Sequence, residues 1–115
     1  MENHYWAFLN KNKRLYWKGF SNSERHNAIN EIKRSINKYG YITDFKMFSD
    51  LETSFTIDIE ESKIDSLYEA LIQNIALKDI EKVNSDSIEI RSILLNVSFS
   101  KGTGNLENII PSVPG

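Results

Sequence analysis

Residues 21–75, SNSERHNAINEIKRSINKYGYITDFKMFSDLETSFTIDIEESKIDSLYEALIQNI, read as a helix, two strands and a second helix. Ser21-Asn22-Ser23-Glu24 has the spacing of a capping box, in which the Ser21 hydroxyl accepts from the Glu24 amide and the Glu24 carboxylate returns to the cap amide. Ala28, Ile29, Ile32, Ile36 and Tyr39 then recur at helical spacing, and Gly40 offers a left-handed residue to end the run. These signals predict a helix from about Asn22 to Tyr39. Tyr41 to Phe48 reads as a strand of mixed faces, and Ser49-Asp50-Leu51-Glu52 as a turn. The next strand alternates cleanly, with Phe55, Ile57 and Ile59 inward and Ser54, Thr56, Asp58 and Glu60 outward. Ser62 and Asp65 repeat the capping spacing ahead of a buried stripe of Ile64, Leu67, Tyr68, Leu71 and Ile75.

Upstream, His4 to Leu9 and Arg14 to Phe20 favour strand, and Asn10-Lys11-Asn12-Lys13 between them suits a hairpin loop. Either arm can supply the central first strand. Downstream, Leu77 to Ser87 fits a helical continuation or a packed connection. Ile88 and Ile90 are out of phase with Ile93, Leu95, Val97 and Phe99, and a bulge near Ser92 would reconcile the two. The order β-α-β-β-α-β is that of a split βαβ, or ferredoxin-like, sandwich in the α+β class. The expectation is an antiparallel sheet with two helices on one face, an N-terminal hairpin extension and a C-terminal extended tail. One domain would span residues 1–104, with an apolar tail over 105–115.

A chain of 115 residues suits a single domain. It contains no cysteine, which excludes disulfides, zinc-thiolate sites, iron-sulfur clusters and thiol catalysis. No apolar run approaches a membrane span, and residues 1–14, MENHYWAFLNKNKR, lack a basic-then-apolar signal layout. A cytoplasmic location without membrane contact is expected. The net charge of −2 conceals a division: residues 1–40 hold eight basic and three acidic side chains, residues 41–115 six and thirteen. Non-specific nucleic-acid binding by the whole surface is therefore not expected, while the charge division leaves room for a local basic surface near the N-terminus.

Six of the thirteen aromatic residues fall in the first twenty. Arg14, Trp17 and Lys18 combine positive charge with a stacking face, the composition of a single-strand nucleic-acid or anionic-ligand site. Lys18-Gly19-Phe20 resembles the opening of the motif on the third strand of RNA-recognition domains, but the third strand here presents Ser54, Thr56 and Asp58. Aromatics in the core and lysines on an edge account for the same residues. Small acyl-phosphate hydrolases share the βαββαβ layout, yet Ser21-Asn22-Ser23-Glu24 has no arginine and puts a carboxylate where phosphate would sit. His4 and His26 are the only histidines and show no paired spacing, so no metal is expected. Asp58, Glu60 and Glu61 suit the start of a helix, where negative charge is stabilised. Gly102-Thr103-Gly104 lacks the lysine and following helix of a phosphate loop.

No catalytic motif, cofactor fingerprint or metal-ligand spacing stands out, and the reading leans away from an enzyme. Leu106, Ile109, Ile110 and Val113 make the tail too apolar for a solvated end. The expected role is a non-enzymatic interaction domain that self-associates, as a homodimer, and contacts another protein. Binding of nucleic acid or an anionic ligand through the basic aromatic hairpin is the alternative.

Overall fold

The computed structural model describes residues 14–100. The elements are β1 (Leu15–Ser21), α1 (Arg25–Tyr39), β2 (Gly40–Ser49), β3 (Glu52–Glu60), a 3-10 turn (Glu61–Lys63), α2 (Ile64–Leu71), β4 (Ala76–Leu77) and β5 (Ile90–Phe99). They form an α+β unit with one five-stranded sheet in the order β2-β3-β5-β1-β4. The N-terminal arm His4–Leu9 of the expected hairpin, and the tail over residues 105–115, lie outside the described residues.

The sheet is mixed, which corrects the expected antiparallel ferredoxin-like arrangement. β5 runs parallel to β1, while β2/β3, β3/β5 and β1/β4 are antiparallel. The central position goes to β5, between β3 and β1, and not to the first strand. The reason lies in hydrophobic demand. Ile93, Leu95, Val97 and Phe99 are all buried on one face, and the alternate residues Ser92, Leu94, Asn96 and Ser98 are half-buried on the other. A strand covered this fully is best placed with both edges paired.

A long return makes the parallel pairing possible. β3 ends at Glu60 beside the start of β5 at Ile90, so the chain must travel to the far end of the sheet and back before β5 begins. α2 makes the outward leg. β4 starts the return along β1, with Phe20 opposite Ala76 and Gly19 opposite Leu77. The remaining connection, 78–89, is irregular and packed, not a continued helix. Ile80 and Val83 pack against the core from it. The Asp65 carboxylate accepts from the Val83 amide at 2.8 Å and the Asn84 amide at 2.9 Å. Expected to cap its own helix, Asp65 instead secures the return. The Glu61 and Ser62 amides donate to the Glu89 and Ser87 carbonyls, both at 2.9 Å.

Both helices cover the face formed by Trp17, Phe55, Ile57, Ile59, Ile93, Leu95 and Val97, and contribute Ile32, Ile36, Ile64, Leu67 and Leu71 to that core. The α1 stripe forms as the periodicity predicts, but its start is three residues later. Glu24 is the N-cap, its carboxylate accepting from the His26 amide at 3.0 Å and the Asn27 amide at 3.1 Å. Ser21 instead accepts from the Ser23 amide at 3.0 Å, because β1 extends through it. Arg25, buried in the first turn, reaches the β2–β3 turn, with Nη2 4.0 Å from Asp50 and Nη1 donating to the Met47 sulfur at 3.7 Å.

Gly40 is extended, with φ −156°, and not left-handed as expected. Its value is the missing side chain: a Cβ would lie 2.6 Å from the Asp58 carbonyl oxygen. The expected bulge near Ser92 is also absent, since β3 and β5 stay in register from Glu60↔Ile90 to Glu52↔Ser98. Ile88 and Ile90 are exposed, and the irregularities fall in β2, between Ile42 and Asp44 and between Met47 and Ser49.

Gly40→Ala should cost about 1–3 kcal/mol through the forced separation of β2 and β3, read as a lower denaturant midpoint. Glu24 gives a pH test. The two amide hydrogen bonds hold its carboxyl below the ordinary value, so the stabilisation is present above the unfolded-state pKa and is lost as pH falls through the folded one. Glu24→Gln should lower the melting temperature at neutral pH, and the gap to the unaltered protein should close in acid.

Candidate binding surface on the open sheet face

β1 divides its side chains between the two faces of the sheet by simple alternation. Trp17, Gly19 and Ser21 point inward and are buried; Tyr16, Lys18 and Phe20 point outward and are exposed. Trp17 is only 5% exposed, with its indole edge-on to Tyr68 at a centroid distance of 6.3 Å. Trp17, expected in a ligand site, is thus placed in the core, and the accessible rings of β1 are Tyr16 (71%) and Phe20 (44%). Arg14 and Lys18, the other two expected ligand residues, are exposed. Lys18 stands on the same face as Tyr16 and Phe20.

The pairing registers line this face up across four strands. Lys18, Asn96, Ser54 and Lys46 lie at one level, from β1 through β5 and β3 to β2. Tyr16, Leu94, Thr56 and Asp44 lie at the next. A shallow depression over these two levels is lined by Arg14, Lys46, Phe48, Ser54, Leu94 and Asn96. Tyr41, opposite Asp58, is a fourth exposed ring in addition to Tyr16, Phe20 and Phe48. Neither helix covers any of these positions.

The contribution of β2 was not legible in sequence, because its apolar residues follow no single alternation. The register shifts at Ile42/Asp44 and Met47/Ser49 are the cause. They leave Ile42 and Phe45 packed against the core while Tyr41 and Phe48 are turned to solvent. The mixed pattern from Tyr41 to Phe48 was itself the available signal.

The other candidates resolve into structural pairings. Glu61 is 3.6 Å from the Arg91 guanidinium, and Glu60 is 4.0 Å from Lys63. His26 is exposed on α1. Among the described residues no three His, Cys, Asp or Glu side chains converge as a metal site, and no helix is long and apolar enough to cross a membrane. The chemical capacity of this sheet face is stacking on exposed rings, hydrogen bonding through Asn96 and the half-buried Thr56, and charge at Lys18 and Lys46. A smaller cavity of about 190 Å³ sits at the opposite end of β2, between Tyr39, Tyr41, Asp58 and Lys63.

Leu106, Ile109, Ile110 and Val113 of the tail lie outside the described residues. Comparison with protein-family models, curated proteins and solved structures finds no match.

The division of β1 predicts opposite outcomes for neighbouring substitutions. Trp17→Ala should cost roughly 3–5 kcal/mol of stability by opening a core cavity. Tyr16→Ala should change it by within about 0.5 kcal/mol, as measured by chemical denaturation.

Proposed function

We propose that this chain is a non-catalytic binding domain of the cytoplasm that associates with itself and with another protein through the side of its sheet left open by the helices. One observation carries the reading: Tyr16, Phe20, Tyr41 and Phe48 expose four aromatic rings on that open face. Aromatic rings are enriched where one protein surface meets another. Leu106, Ile109, Ile110 and Val113 add apolar side chains that a partner or a second copy would cover, and they belong to the same proposal.

A second reading, binding of single-stranded nucleic acid or another anionic ligand, is favoured by Arg14, Lys18 and Lys46 beside Tyr16, Phe20 and Phe48, because rings stack bases while cations attract phosphate. It ranks second because Asp44, Asp58 and Glu60 share the face and oppose a polyanion.

Two measurements separate the readings. Light scattering on the full chain should give the mass of a dimer, and titration with fluorescent single-stranded oligonucleotides should show no saturable binding. A monomeric mass with salt-sensitive micromolar oligonucleotide binding, reduced by Lys18→Ala, would reverse the order.

A further inference from the structure

The free edge of β2 is where self-association can be assigned to particular residues. β2 is ten residues long and, among the described residues, is hydrogen-bonded to another strand, β3, on one side only. Tyr41, Met47 and Phe48 of this strand, with Leu51 in the following turn, are four of the nine large hydrophobic side chains exposed among the described residues. An edge strand of this length and apolarity is a ready template for another strand. Between its two register shifts, residues 44–47 are regular, pairing in sequence with Thr56, Phe55, Ser54 and Thr53. Asp44 and Lys46 share the open face there, 3.9 Å apart, and both are exposed.

We propose that β2 pairs antiparallel with β2 of a second copy about a two-fold axis at Phe45, joining the two sheets into one. The inference rests on the self-association reading and places the contact between copies at the β2 edge that borders the open face. An axis perpendicular to the sheet keeps the same face of both copies on the same side, so residues opposite one another must share a face. In the regular segment this allows few registers. An axis at Asp44 sets Asp44 against its own copy, and an axis at Lys46 sets lysine against lysine. Like charges directly opposite on neighbouring strands are destabilising, and unlike charges stabilise. An axis at Phe45 places Asp44 opposite the second copy's Lys46 and repeats the pair by symmetry. It also brings Tyr41 of one copy near Phe48 of the other on the open face, where their exposed rings cover one another. The charges that guard this edge against random pairing thus accept one register of self-pairing.

Sedimentation or light scattering of the full chain over a concentration series tests the assignment. Asp44→Lys and Lys46→Asp should each raise the dimer dissociation constant by about tenfold or more, since each converts two attractive pairs into two repulsive ones. The double exchange, Asp44→Lys with Lys46→Asp, should return it to within about threefold of the starting value. Because both side chains are exposed, circular dichroism melts of the three variants at low concentration should superimpose. A dimer whose dissociation constant is the same in all variants would overturn the β2 assignment and leave self-association through another surface standing. A chain that stays monomeric at about 100 μM would overturn both.

Discussion

The pairing of β5 with β3 on one side and β1 on the other is the constraint from which the remaining architecture follows. Ile93, Leu95 and Val97 are fully buried between Phe55, Ile57 and Ile59 of β3 and Trp17 of β1. Each such side chain contributes about 1.5–3 kcal/mol on leaving water, so displacing this strand to an edge would sacrifice part of the burial of several core residues at once. Once β5 is central and parallel to β1, the chain between β3 and β5 must make a full outward and return journey. α2, β4 and the connection 78–89 are the pieces of that journey, and the Asp65 carboxylate fastens the irregular part of it to the helix.

One pleat serves both packing and recognition. The alternation that seats Trp17 in the core turns Tyr16, Lys18 and Phe20 to the other side, and the alternation that buries Ile93 and Leu95 turns Leu94 and Asn96 outward. Because the two helices take the inner face, the outer one collects everything that the core excludes. The surface is consequently neither wholly apolar nor strongly charged. Its rings lie at both flanks, on β1 and β2, with hydroxyl and amide groups on the central strands between them.

The two flanks of the sheet are treated differently. On the β1 side, β4 and the connection 78–89 run alongside the strand, and the Lys78 amide donates to the Lys18 carbonyl at 3.1 Å. On the β2 side no described element follows. Register shifts and an Asp–Lys pair interrupt that edge, and both are devices that limit indiscriminate strand addition. They also confine any ordered pairing to the short regular stretch around Phe45.

The sequence by itself determined the elements: the α1 stripe from Ala28 to Ile36, the inward set Phe55, Ile57 and Ile59, and the inward set from Ile93 to Phe99 are all where periodicity puts them. Periodicity records which side of an element is buried, so these were readable locally. Tertiary structure alone decided which strand sits next to which. Antiparallel and parallel neighbours demand the same alternation, and the preference for β5 at the centre arises from the summed burial of several elements. The same holds for detail at the ends and edges. Glu24 caps α1 because pairing of β1 with β5 keeps Ser21 in a strand, and Asp65 serves a loop eighteen residues away because the return path brings that loop to it. The candidate surface was half legible. Arg14 and Lys18 could be marked as exposed charge, but which rings stand beside them depended on the phase of β1, on the shifts in β2 and on the registers that align four strands.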